Sequence, residues 1–360
     1  MITVTRPWLP DRERLDSYID QVYKSGHLTN NGPLVRLLEE RLQTYLGVKH
    51  LILVSNGTLA LQIAYRALDV TGEVITTPFS FIATSSSLAW QNCKPVFADI
   101  DPLTLNIDVD NVTSKITPKT SALVPVHVFG NPCNVERLNE IASKHNLKIV
   151  YDASHAFGVD YHGKSILSQG DISTISFHAT KLFHTIEGGA LVTNDSSLAK
   201  KIRLMIKCGI VDEENIALCG INAKMHELSA AMGLSVLDDI DTIKKNRAQI
   251  WQQYKIHLSD YLKFQKWNEN ATNNCAYVPV LFSNEQELLA VKNTLNNFDI
   301  FPRRYFYPSL DQINFLLNNN KCLVADDVSK RILCLPIYPN LKKQQQRQVI
   351  ELIKTALKLV

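Results

Sequence analysis

Three short stretches carry groups whose types and spacing suit one another. The first is Val54-Ser55-Asn56-Gly57-Thr58-Leu59, where an apolar run gives way to a turn and then to a helical pattern. The free N–H groups of a helix's first turn, with a threonine hydroxyl beside them, suit a phosphate. The same residues also suit an ordinary capped helix. The second is Tyr151-Asp152-Ala153-Ser154-His155-Ala156-Phe157-Gly158. The run LKIVY delivers Asp152 to the carboxyl end of a strand, the edge at which open α/β sheets bind ligands. A carboxylate there can hold a protonated ring nitrogen, with His155 in reach of a neighbouring group; it can equally cap the next turn. The third is Ser176-Phe177-His178-Ala179-Thr180-Lys181, followed by Glu187-Gly188-Gly189-Ala190. A lysine between a strand and a glycine pair can serve as a Schiff-base nucleophile if desolvation or a nearby cation lowers its pKa. Otherwise a lysine is a solvated surface charge. Phosphate cradle, carboxylate and amine, in that order and each at a strand end, form the set that pyridoxal phosphate requires.

The elements that must position them follow from periodicity. Apolar, β-branched runs predict strands at HLILVS (50–55), EVITTP (73–78), PVFADI (95–100), ALVPVHV (122–128), KIVYDAS (148–154), ISTISF (172–177) and GALVTN (189–194). Between the first two, Leu59, Ile63 and Ala67 recur at helical spacing. Between the fourth and fifth, Asn134 caps a helix with Val135, Leu138, Ile141 and Ala142 on one face. Strands alternating with helices predict a mostly parallel seven-stranded sheet with helices on both faces. Beyond about residue 240 the pattern changes to a long amphipathic helix, IDTIKKNRAQIWQQYKIHLSDYL, then a strand candidate, AYVPVLF, and two further helices, EQELLAVKNTLNN and KQQQRQVIELIKTALKL. This predicts a large domain over residues 1–240, opening with an arm or helix, and a smaller α+β domain over 241–360.

Composition narrows the function classes. The chain has 360 residues, 45% hydrophobic and 20% charged, enough apolar material for a sizeable core and too much for a disordered chain. Lys+Arg is 38 against Asp+Glu 35, so no extended basic surface for a nucleic-acid polymer is expected. No apolar run approaches a membrane span and no secretory leader is visible, which predicts a cytoplasmic protein. Seven irregularly spaced cysteines, without a C-x-x-C pair, predict buried reduced thiols and no metal site. The acidic run 99–110 lacks the glycine and closing glutamate of a calcium loop and reads as strand end and turn.

The three stretches fall within a longer ordered series. Leu28-Thr29-Asn30-Asn31-Gly32-Pro33 leads into LEERLQTYLGVKHLILVSNGTLAL; Pro78-Phe79-Ser80-Phe81-Ile82-Ala83-Thr84 and His127-Val128-Phe129-Gly130 follow. Gly220-Ile221-Asn222-Ala223-Lys224-Met225, His226-Glu227-Leu228-Ser229-Ala230-Ala231 and Ile332-Leu333-Cys334-Leu335-Pro336-Ile337 complete it. This series resembles the nucleotide-sugar aminotransferases of the DegT/StrS type, over nearly the whole chain. The resemblance implies the type I pyridoxal-phosphate aminotransferase fold and these roles. Lys181 forms the covalent link to the cofactor and shuttles the proton; Asp152 pairs with the pyridinium nitrogen. His155 lies near the phenolic oxygen, Phe81 stacks on the ring, and Gly57, Thr58 and Ser176 hold the phosphate. Asn222 reaches the cofactor of a second subunit, which implies a homodimer with active sites at the interface. Tyr151 stands where members often have an acidic residue, and Lys224 where many have arginine. Within the family, SFHATKLFHTIEGG and PRRYFYPSL are most similar to members that aminate C4 of a dTDP-linked 4-keto-6-deoxy sugar, with L-glutamate as donor; amination of another nucleotide-linked keto sugar, at C3 or on a UDP-linked acceptor, and a non-catalytic pyridoxal-phosphate-binding protein are the alternatives. Arg303, Arg304, Tyr305 and Lys224 are then the candidate substrate contacts. An O-antigen or related surface glycan is the implied destination of the product.

Overall fold

The computed structural model describes residues 1–316 and 321–358. Its central sheet comprises β1 (His50–Val54), β2 (Glu73–Thr76), β3 (Lys94–Phe97), β4 (Thr120–Val124), β5 (Lys148–Asp152), β6 (Ile172–Ser176) and β7 (Gly189–Thr193). The spatial order is β1-β7-β6-β5-β4-β2-β3. All neighbouring pairs are parallel except those of β7, which is antiparallel to both β1 and β6. The seven predicted strands are thus all present, each trimmed at its carboxyl end. Pro125, which has no N–H to give a ladder, follows directly on β4.

The uninterrupted apolar runs reflect burial on both faces. Side chains alternate between two cores. Leu51, Leu53, Ile75, Leu123, Ile149 and Ile175 face one; Ile52, Val54, Val74, Ala122, Val124 and Val150 face the other. The first core is covered by α2 (Pro33–Leu46), α5 (Val109–Lys115), α6 (Val135–His145) and α8 (Glu227–Asp238), the second by α3 (Gly57–Ala67) and α7 (Ser196–Met205). The opening arm contains α1 (Arg12–Ser25), which packs on α8 and is fastened by Arg14 and Trp8 to Asp239. A helix that periodicity did not signal, α4 (Ala83–Trp90), follows the aromatic segment. Its Thr-Ser-Ser-Ser run has poor helix propensity, and burial of Thr84, Ser85 and Ser87 overrides it.

The final third forms a smaller α+β unit. A three-stranded antiparallel sheet of β8 (Lys263–Phe264), β9 (Pro279–Leu281) and β10 (Ile332–Cys334) packs with α9 (Ile240–Leu258), α10 (Glu285–Asn297) and α12 (Lys343–Lys358), and α11 (Leu323–Arg331) lies against α10. Ile2–Thr3 pair in parallel with Ile300–Phe301, and Ile2 joins this core. A further cluster, with Phe79, Phe97 and Phe129 on one side and Phe306, Leu310 and Cys334 on the other, joins the sheet's carboxyl edge to the final third.

Asp101 Oδ1 accepts the N–H groups of Leu103 and Thr104, so the acidic run is a turn, as expected. Cys93, Cys133, Cys275, Cys322 and Cys334 are buried free thiols, whereas Cys208 and Cys219 are exposed, against the sequence expectation. Both lie on an irregular hairpin rather than on a packed element. No helix among the described residues is long and apolar enough to cross a membrane.

Candidate active site

The three stretches meet at the carboxyl edge of the sheet. Gly57 opens α3, and Asn56 caps it by accepting the N–H of Leu59 at 2.8 Å. The first-turn N–H groups of Gly57 and Thr58 carry no intrahelical bond, as at any helix start. A methyl group on Gly57 would lie 2.8 Å from Ser176 Cβ, and one on Gly189 would lie 2.8 Å from Gly57 N. These glycines therefore let the helix terminus sit directly on the ends of β6 and β7. Thr58 is exposed there and Ser176 is half-buried.

Asp152 ends β5, 6% exposed. Its Oδ2 accepts the Thr84 hydroxyl at 2.8 Å and its Oδ1 the Ser154 N–H at 3.1 Å. Thr84 Oγ1 also lies 2.7 Å from Ser80 Oγ. The carboxylate is thus fixed by two donors, with lone pairs left for a third. Thr84, on a helix periodicity missed, was not a sequence candidate.

Lys181 follows the β6 end in a turn closed by its N–H to the His178 carbonyl. Its Nζ lies 3.4 Å from the Tyr277 hydroxyl. Burial lowers its pKa to about 8, with the Asp152 charge acting in the opposite direction. The amine is therefore neutral far more often near pH 8 than a surface lysine is.

His155 is buried, and its Nδ1 accepts the Phe129 N–H at 3.1 Å. That bond puts the ring proton on Nε2. Burial, then the charge of Lys181, holds the imidazole pKa well below its ordinary value, so it stays neutral. Phe306 stacks on it with ring centroids 5.9 Å apart, and Tyr277 tilts against it at 4.6 Å. Tyr277 was absent from the sequence candidates; only its aromatic type within a strand-like run marked it.

The remaining candidates lie toward the outside. Phe81 is 54% exposed, an unusual state for a phenylalanine beside a core cluster. Asn222 is exposed, and its Oδ1 accepts from Lys224 Nζ at 2.8 Å. The Ala223 carbonyl between them accepts the Ser55 N–H, which ties this segment to the α3 entrance. Arg303 is exposed and lies over the Tyr305 ring at 4.7 Å; Tyr305 meets Tyr277 edge to face at 6.0 Å. This series runs from Arg303 inward to Lys181. Arg304 does not join it. Its guanidinium bonds Glu285 at 2.7 Å and the Lys330 carbonyl at 2.9 Å, within the final third. Tyr151, beside Asp152 on the opposite face of β5, stacks on His127 at 4.6 Å in the core.

The chain belongs to the DegT/DnrJ/EryC1/StrS aminotransferase family, whose family model matches residues 10–354. Enzymes of this family are pyridoxal-phosphate-dependent aminotransferases. Among individual proteins, the chain is 42% identical to the dTDP-4-amino-4,6-dideoxy-D-glucose transaminase of Shigella dysenteriae, with 98% of each chain covered. It is 30% identical to the GDP-perosamine synthase of Escherichia coli O157:H7, covering 98% of this chain and 97% of that one. In structure it is similar to DesI, determined in the presence of its TDP-sugar product, with a TM-score of 0.94 and 35% identity over 99% of this chain and 93% of that one. The type I aminotransferase fold expected from the sequence is the fold observed.

Proposed function

We propose that this chain transfers the amino group of L-glutamate to C4 of dTDP-4-keto-6-deoxy-D-glucose, giving 2-oxoglutarate and dTDP-4-amino-4,6-dideoxy-D-glucose. The observation that carries the reading is a desolvated Lys181 beside a buried, doubly hydrogen-bonded Asp152 on a chain 42% identical to a transaminase of that name.

The residues present fit pyridoxal phosphate. The glycine-backed α3 terminus, with Thr58 and Ser176 beside it, suits a phosphate. Asp152 retains lone pairs for a protonated ring nitrogen, and His155 Nε2–H is a neutral donor for a phenolic oxygen. Exposed Phe81 has a ring face to offer. When bound, the cofactor supplies a carbonyl that condenses with amines and a ring that accepts electrons. Asp152 keeps the ring-nitrogen proton in place by its negative charge. Lys181 takes the proton from the donor's α-carbon and, in the second half-reaction, delivers a proton to the sugar carbon that receives the amine. Its depressed pKa makes the neutral base available near physiological pH.

Arg303 and Tyr305 are our candidates for nucleotide or diphosphate contacts, and Lys224 for a substrate or cross-subunit contact. Asn222 is assigned to the phosphate of a second subunit's cofactor, in a homodimer of cytoplasmic location. We take residues 1–240 as the cofactor-binding domain and 241–360 as the smaller one.

Product NMR after mixing the protein with pyridoxal phosphate, glutamate and dTDP-4-keto-6-deoxyglucose tests the reading. A 4-amino product supports it; no turnover of that sugar overturns it. A GDP-linked 4-keto sugar is the second reading, favoured by the 30% identical GDP-perosamine synthase, and the same assay with that acceptor decides between them.

A further inference from the structure

Lys181 must leave its covalent partner, carry a proton between two carbons and return. A lysine side chain turns about four bonds, so a base that is free between transfers needs a seat. Among the described residues, Lys181 Nζ donates to the Tyr277 hydroxyl at 3.4 Å; when the amine is neutral the same pair can reverse, with the hydroxyl donating to its lone pair. The distance is long for a hydrogen bond, as catalytic contacts often are before substrate tightens them.

The tyrosine is built to stay where it is. Its ring packs against His155 at 4.6 Å, Phe129 at 5.4 Å and Tyr305 at 6.0 Å. Its backbone is stitched to the loop that carries His155. Asn274 Nδ2 donates to the carbonyls of His155 and Phe157, and Asn274 Oδ1 accepts the Ala276 N–H. From the other side, Arg247 on α9 donates to the Ala276 carbonyl at 3.1 Å.

Arg247 is 2% exposed, its Nε has no hydrogen-bond partner among the described residues, and the Ala276 carbonyl takes its bond where a carboxylate would be expected. The charges of Arg247 and Arg303 both act on the Tyr277 oxygen. Burial keeps the phenol protonated and therefore able to donate.

We propose that the Tyr277 hydroxyl is the seat of the free Lys181 amine, donating to its lone pair and holding it in line for proton transfer. This positioning role rests on the aminotransferase reading above. The groups facing Lys181 are Asp152 from β5, His155 from the loop after it and Tyr277 from the segment before β9, with Cys334 of β10, Arg247, Arg303 and Tyr305 around Tyr277.

The test is Tyr277→Phe, which keeps the ring and its packing; an unchanged melting temperature checks that. In the cofactor-free full chain, the pH midpoint for acetylation of Lys181, read by peptide mass spectrometry, should rise by about half a unit to one unit, because a donor to the neutral amine is gone. In the loaded enzyme, kcat for the glutamate half-reaction should fall about 10–100-fold with KM little changed, and the isotope effect of α-deuterated glutamate should increase. A midpoint at or below that of wild type, the latter showing that the hydroxyl chiefly accepts from the ammonium, or a wild-type isotope effect in the variant would overturn the assignment. If wild-type protein takes no borohydride label from pyridoxal phosphate at Lys181, the aminotransferase reading fails instead, while the acetylation midpoints still report on Tyr277.

Discussion

Asp152 and Phe81 both lie at the carboxyl edge of one sheet, yet their surroundings differ in kind. Asp152 has Thr84 on one oxygen and Ser154 on the other; His155 is bonded to Phe129 and stacked on Phe306. Beneath them Gly57, Ser176 and Gly189 approach so closely that a methyl group would not fit. Phe81, Thr58, Asn222 and Arg303, by contrast, are exposed, and Asn222 and Lys224 bond each other. The floor is packed and hydrogen-bonded, whereas the rim side chains are exposed. The groups to which we assign charge-holding and proton transfer are thus fixed by the fold, whereas those we propose to grip a ligand's outer parts are free to adjust to it.

The sharpest way to break this contrast is at the floor. Lys181→Ala should lower turnover at least about 10³-fold and remove the borohydride label; Asp152→Asn should lower kcat about 10²–10³-fold at near-normal KM. If Asp152→Asn shifts KM alone, the floor carboxylate only binds. Gly57→Ala comes next. Its new methyl must displace Ser176, so we expect about 1–3 kcal/mol of lost stability, with weaker pyridoxal phosphate affinity by fluorescence titration.

The rim should respond more weakly, and its two arginines separately. Arg303→Ala should raise KM for the nucleotide sugar several-fold and leave the melting temperature alone. Arg304→Ala should do the reverse, losing about 1.5–3 kcal/mol of stability with the Glu285 bond, at unchanged KM. Equal effects from both would erase the distinction between them.

The smallest effect is one of pH. The folded pKa of Lys181 is depressed to about 8, below that of an unfolded lysine at about 10.4. Between these values the unfolded chain binds more protons, so this group's contribution to stability improves as pH rises. Cofactor-free Lys181→Met should therefore be more stable than the parent at pH 7, with the gap narrowing from about pH 8 to 10. Chemical denaturation at several pH values measures it; a gap independent of pH would show that Lys181 is not desolvated.

Much of the floor was legible in the sequence because each member sits at the end of an apolar run. LKIVY has to be a buried strand, so Asp152 has to emerge at its edge. Thr84 and Tyr277 were not legible. They lie 68 and 96 residues from the partners they touch, on elements whose local pattern is ambiguous. Arg303 and Arg304 show a different limit. Neighbours on an extended segment point to opposite sides, so a run such as PRRY cannot direct both guanidinium groups to one ligand. Composition marked the region but not the residue.

The pairing of Ile2–Thr3 with Ile300–Phe301 has a mechanical consequence. Besides the packed and hydrogen-bonded contacts between them, the chain itself passes between the sheet and the final third once where Asp239 leads into α9, and again where its first residues cross over before α1. Ile337 also donates its N–H to Val4. Two straps in place of one restrict swivelling, and any rocking of the final third pulls on α1 through residues 5–11. Trimming the first four residues would cut one strap and leave every side chain of the floor intact.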